Sequence, residues 1–121
     1  METAWCGRCR LHLPTSDFYL RPDRPGGLQK YCKSCLMHVQ KIRWNRRKRE
    51  MVRMMGDCCF DCGGTFHPAC YDLHHLDPSQ KKYSWSKLRL LKWETIEREL
   101  PKCRLLCGNC HRLRHVDPSL W

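Results

Sequence analysis

No stretch of this chain approaches the roughly 18 consecutive apolar residues that a membrane-spanning helix needs, and Met1 to Trp5 lack the apolar run of a signal peptide. A soluble cytoplasmic protein with no membrane partner is therefore expected. Acid is scarce: 12 Asp and Glu face 23 Lys and Arg, a formal net charge of +11. Such an imbalance disfavours cationic ligands and favours polyanions, with nucleic acid first. At 121 residues the chain also has little material for two ordinary hydrophobic cores.

Cysteine and histidine are abundant: there are 11 and 7 of them. Eight of the cysteines form Cys-x2-Cys pairs at Cys6/Cys9, Cys32/Cys35, Cys59/Cys62 and Cys107/Cys110. A tight turn of that spacing presents two sulfurs to one tetrahedral ion, and two such turns close a structural zinc site. Taken in order, the pairs give two structural Zn2+ sites, one from Cys6, Cys9, Cys32 and Cys35, the other from Cys59, Cys62, Cys107 and Cys110. The spacing also permits a knuckle of Cys59, Cys62, His67 and Cys70. Cys58, Cys70 and Cys103 are expected to pack as small hydrophobes, and His12, His38 and His67 have no partner at a useful spacing.

Four segments follow from this pattern. Residues 1–36 read as a zinc ribbon with a Pro- and Gly-rich loop. Residues 37–55 hold no Gly or Pro but include Lys41, Arg43, Arg46, Arg47, Lys48, Arg49 and Arg53. They predict a basic linker helix whose middle, 45–50, offers nothing apolar to bury. Residues 56–116 form a second zinc module, and 117–121 a tail. In the second module Ala69 to Leu73 predicts a strand running into His74 and His75. Leu88, Leu91, Trp93, Ile96 and Leu100 follow helical spacing, and Trp85 and Trp93 are expected to anchor this segment to the core. Cys103–Leu106 predicts a second strand and Asn109–His115 a helix.

His74 and His75 stand side by side at a strand end, where neighbouring side chains point opposite ways; one can bind an ion while the other faces a substrate. His111 and His115, four apart on a helix, share a face. A metal at Cys59, Cys62, Cys107 and Cys110 would draw strand and helix together.

The run Leu73-His74-His75-Leu76-Asp77-Pro78, with Leu106-Cys107-Gly108-Asn109-Cys110-His111 and the closing His115, resembles an HNH endonuclease of the phage type over residues 56–116. Cys6-Gly7-Arg8-Cys9, Asp17-Phe18-Tyr19 and Tyr31-Cys32-Lys33-Ser34-Cys35 are similar to the zinc-ribbon extensions in front of such enzymes. The resemblance implies an α+β chain: a small zinc-stabilised ββα-metal (His-Me finger) nuclease domain preceded by a ribbon and a basic helix. It implies that His74, His111 and His115 hold one catalytic divalent cation (Mg2+, Mn2+, Ni2+ or Zn2+). It makes His75 the general base that activates water, with products carrying 5′ phosphates. The family's middle asparagine, which helps orient the base histidine, falls at Lys102; lysine cannot accept a hydrogen bond, although a backbone carbonyl can still hold the His75 ring.

The implied substrate is double-stranded DNA, gripped by the basic helix and by Arg112 and Arg114. A phage homing or packaging nuclease, acting in the host cytoplasm as monomer or homodimer with or without a phage partner protein, fits this reading. One rival is a non-catalytic zinc-finger DNA-binding or regulatory protein. Another is a nuclease for RNA or branched DNA that uses exposed aromatics such as Tyr31, Trp44 and Trp85.

Overall fold

The computed structural model describes residues 2–80 and 83–121 and forms two compact units that divide between Trp44 and Asn45. Among the described residues the architecture is α+β, with two small antiparallel sheets and four α-helices. No helix among the described residues is long and apolar enough to cross a membrane.

In the first unit, β1 (Thr3–Trp5) pairs with β2 (His12–Pro14), Trp5 lying opposite His12. The turn between them is a zinc knuckle in form. The Arg10 amide donates to the Cys6 carbonyl at 2.9 Å, the Cys6 amide to that of Leu11 at 3.0 Å, and Arg10 takes φ 58° to close it. The loop after Tyr19 folds back through the Leu20–Leu28 bridge, its return made by Gly26 and Gly27 at φ 86° and 71°. The buried core holds one large side chain, Phe18, among Cys6, Cys32 and Cys35. So small a core cannot be expected to hold a fold without a metal.

α1 (Lys33–Met54) starts directly after Cys32, four residues before the expected start, and continues into the second unit. There it is more than a bridge. Met51 and Val52 are fully buried, Met51 with Leu73, Leu88, Ile96 and Leu100, and Val52 with Tyr71, Leu105 and Leu106. Arg47 and Lys48, expected to lie on a solvated stretch, are half-buried. The Arg47 guanidinium lies 4.7 Å over the Trp93 ring and donates to the Leu91 carbonyl at 2.6 Å, while the Lys48 ammonium lies 5.2 Å over Trp85. Long cationic side chains bury their stems against aromatic faces without losing their charge; a hydropathy pattern cannot see this.

After α1 the chain repeats the knuckle. Gly63 donates to the Cys59 carbonyl at 2.8 Å and Cys59 to that of Gly64 at 2.9 Å, with Gly63 at φ 71° where Arg10 stands in the first unit. β3 (Tyr71–His75) then pairs antiparallel with β4 (Cys103–Cys107), Tyr71 opposite Cys107 and His75 opposite Cys103. Tyr71 is wholly buried, and its hydroxyl is satisfied by the Phe66 amide at 2.9 Å and the Asp57 carbonyl at 3.3 Å. Among the described residues between the strands, the segment expected to follow one helical spacing forms two short α-helices, α2 (Trp85–Leu88) and α3 (Trp93–Glu99). Lys92 is extended at ψ 149° and breaks the run, and only within α3 and the turn after it does the apolar spacing keep to one buried face, at Ile96 and Leu100. α4 (Gly108–Arg114) follows β4 without a loop, capped at its N-terminus by Cys107.

Candidate metal centres and nucleic-acid interface

Each unit brings four cysteines together: Cys6, Cys9, Cys32 and Cys35 in one, Cys59, Cys62, Cys107 and Cys110 in the other, with all sulfurs of a set within 4.8 Å of one another. Of the two pairings open to the second unit, the sequential one forms. His67 instead caps the turn Pro68–Cys70, its Nδ1 accepting from the Ala69 amide at 3.0 Å, and Cys70 is exposed, as is Cys58. Of the three unpaired cysteines, therefore, only Cys103 packs in the core.

The chemistry of the donors fits a metal. Burial alone would push the Cys6 thiol up, but the amides of Cys32, Cys9 and Arg8 bring it down to about 6. Burial and then the thiols of Cys6 and Cys35 push Cys9 up to about 12. In the second set Cys59 is brought down to about 6 against its burial by the amides of Cys62, Cys107 and Asp61, while Cys107 above all, then burial, pushes Cys110 up to about 12. One thiolate forms readily in each set and resists the next; a divalent cation removes that resistance. Both groups could hold metal ions, as structural zinc sites do.

A third group joins β3 to α4. Alternation along β3 puts Asp72 and His74 on one face and buries Tyr71 and Leu73 on the other. α4 brings in His111 and, at its C-terminal cap, His115. The three imidazole rings lie 5.0 to 5.7 Å apart by centroid, and their nearest ligand atoms fall within 4.8 Å. The Nε2 atoms of His111 and His115 are 3.3 Å apart. Two nitrogens bound tetrahedrally at about 2.0–2.1 Å stand about 3.3–3.4 Å apart, so this spacing suits a shared ion. Burial, followed by the nearby Arg114, His111 and His115, holds the His74 imidazole below the ordinary histidine value, which keeps its lone pair free for a metal.

His75, next along β3, points to the opposite side from His74, across from Cys103. Its ring makes no hydrogen bond among the described residues. The Lys102 carbonyl accepts from the Leu76 amide at 3.1 Å instead of holding His75, and the Lys102 ammonium pairs with Glu99 at 3.2 Å. No backbone carbonyl among the described residues accepts from the His75 ring, so the carbonyl clamp that could stand in for the asparagine is not formed there.

Asp72 was not among the residues expected at this site. Its Oδ2 lies 3.1 Å from His111 Nδ1; with the proton on Nδ1, the Nε2 lone pair faces the group's centre. The available signal was its position two residues before His74 on the same strand face. Asp72→Ala is expected to weaken metal binding at the histidine group by about 10–100-fold without changing the metal content of the cysteine sets, measured by titration with a chromogenic competitor. Asp61 is a second addition. Arg114 Nε donates to its Oδ2 at 2.7 Å and Nη2 to Oδ1 at 2.5 Å, tying α4 to the Cys59–Cys62 turn and holding the carboxyl below its usual range.

No family model, curated protein or solved structure matches this chain.

The cations expected to touch DNA divide into two groups. Arg47, Lys48 and Arg114 are committed to Trp93, Trp85 and Asp61, and Arg53 pairs with Glu50 at 3.3 Å. Lys41, Arg43, Arg46, Arg49 and Arg112 are exposed and have no hydrogen bond or ion pair among the described residues. Arg49→Ala is expected to reduce the salt slope of duplex binding by about 0.9 for each phosphate it no longer neutralises and to leave stability alone. Arg47→Ala is expected to cost about 1–3 kcal/mol of folding stability, because the Leu91 carbonyl loses its donor and the Trp93 ring its cation. Salt-dependent anisotropy and urea melts separate the two.

Proposed function

We propose that this protein is a metal-dependent endonuclease of the HNH type that hydrolyses DNA phosphodiester bonds. The observation that carries the reading is the convergence of His74, His111 and His115 at the junction of β3 and α4, with His75 immediately next to His74. His74, His111 and His115 would hold a divalent cation, supported by Asp72. When bound, such an ion supplies Lewis-acid stabilisation of the charge developing on the scissile phosphate and on the departing 3′ oxygen.

The chain's own residues account for the rest. His75 as a neutral imidazole accepts a proton from water, whose oxygen forms the new bond to phosphorus as the bond to the 3′ oxygen breaks; that oxygen takes a proton from a solvent water to become the 3′ hydroxyl, and the 5′ phosphate stays on the other fragment. Arg112, next to His111 in sequence and exposed, would hold a neighbouring phosphate. Lys41, Arg43, Arg46 and Arg49 supply sequence-independent grip.

A second reading, a non-catalytic zinc protein that binds DNA, draws on the unpartnered ring of His75 and on Lys102 at the asparagine position. Incubation of supercoiled plasmid with Mg2+, Mn2+, Ni2+ or Zn2+ in turn decides between them. The endonuclease gives nicked or linear products that a 5′-phosphate-dependent ligase reseals; a protein that binds but leaves plasmid intact with all four ions is the second kind.

A further inference from the structure

The first unit holds a cavity of about 410 Å3 that belongs to none of the metal groups. It lies between the start of the knuckle and the returning loop, and Trp5, Gly7, Arg24, Gln29 and Lys30 line it. Trp5 ends β1, braced from across the sheet by His12 at a ring distance of 5.1 Å, yet 52% of its surface is open. Arg24 is half-buried at the cavity wall, and its guanidinium has no hydrogen bond or ion pair among the described residues.

The wall is built rather than loose. Arg21 donates to Gly27 at 2.8 Å, Arg24 to Arg21 at 3.0 Å and Gly27 to Arg24 at 2.9 Å, which fixes the loop that carries Arg24. The Gly7 amide donates to the Lys30 carbonyl at 3.2 Å, and a methyl group at Gly7 would meet the Lys30 and Tyr31 side chains at 3.4 Å. Glycine at that position leaves Lys30 room to lie along the rim.

An open indole beside two cations and an amide selects its ligand by chemistry. Arg24 and Lys30 repel cations, which excludes the methylammonium ligands that aromatic cages take. An apolar ligand would leave the half-buried Arg24 guanidinium without a partner, while Lys30, exposed with its ammonium 5.8 Å over the Tyr31 ring, adds a second positive charge at the rim. A flat ring with polar edges attached to a phosphate satisfies all four side chains: the ring stacks on Trp5, Gln29 reaches its edge, and the cations meet the phosphate. A base inside a duplex has both faces covered, so it cannot offer that ring.

We propose that this cavity is a binding site for an unpaired nucleobase and its phosphate, making the first unit a reader of single-stranded or frayed nucleic acid. The site does not depend on the nuclease reading, and it would serve a non-cutting protein equally well.

The test is fluorescence anisotropy of the full chain with labelled 12-nucleotide strands and no added divalent cation: oligothymidine, oligouridine, and an abasic strand with the same phosphates. Wild type should bind the base-containing strands about 5–100-fold more tightly than the abasic one. Trp5→Ala should erase that ratio while Trp5→Phe keeps most of it, and Arg24→Gln should lower the salt slope by about 0.7 with the ratio intact. Equal binding of oligothymidine and oligouridine assigns the site to any unpaired base, and preference for one assigns it to that nucleic acid. Equal binding of abasic and base-containing strands by wild type would overturn the proposal, whether or not the variants fold. So would a folded Trp5→Ala that keeps the full ratio.

Discussion

Cys107→Ser is expected to unfold the second unit outright. A structural zinc contributes on the order of 10–16 kcal/mol of apparent folding free energy in small zinc modules, as much as the whole stability of an ordinary domain. Cys107 also has three positions to hold at once. It closes the cysteine set, its sulfur accepts the Cys110 amide at 3.4 Å as the cap of α4, and it ends β4 opposite the buried Tyr71. Loss of the ion would release α4, and with it His111 and His115. The measurements are zinc content, which should lose the ion of the second cysteine set together with any held by the histidine group, and the far-ultraviolet and thermal profiles, which should lose a cooperative transition. Cys103→Ser is the control: its thiol is buried but lies outside both sets, so it should lose about 1–3 kcal/mol and no zinc.

His75→Ala is expected to lower the rate of plasmid cleavage by about 10²–10⁴-fold, the range general-base catalysis supplies. His75 lies on the opposite side of β3 from the three converging histidines, so its removal should leave the metal content unchanged. His74→Ala should abolish cleavage by a different route, through loss of the ion at the histidine group. The pair of variants therefore separates proton transfer from metal binding: one keeps the ion and loses the rate, the other loses both. A His75→Ala protein that cuts at the wild-type rate would remove the base from the mechanism and leave the metal group to be explained otherwise.

Much of this arrangement could be read from local chemistry. Cys-x2-Cys spacing specifies a knuckle, and both knuckles form with the same pair of backbone hydrogen bonds, although one closes on Gly63 and the other on Arg10. Strand alternation and helical spacing leave open whether His74 or His75 joins His111 and His115; the resemblance implies His74, and that is the histidine found beside them. What escaped the sequence reading depends on tertiary neighbours. Asp72 carries no motif until α4 sets His111 beside it. The basic run of α1 appears solvated in one dimension, but Trp85 and Trp93 cover Arg47 and Lys48 in three. Arg114 reads as a free cation because its partner, Asp61, lies 53 positions away. The apolar spacing from Leu88 to Leu100 suggested one helix because hydropathy does not register the extended turn at Lys92.

The most direct measurement of the central claim is anomalous diffraction from crystals grown with Zn2+ or Ni2+. Three ions per chain are expected, two in the cysteine sets and a third bound to His74, His111 and His115 at about 2.0–2.1 Å, with a coordination position left open for phosphate or water. Two ions only, or a third whose remaining position is closed by a protein side chain, would contradict it.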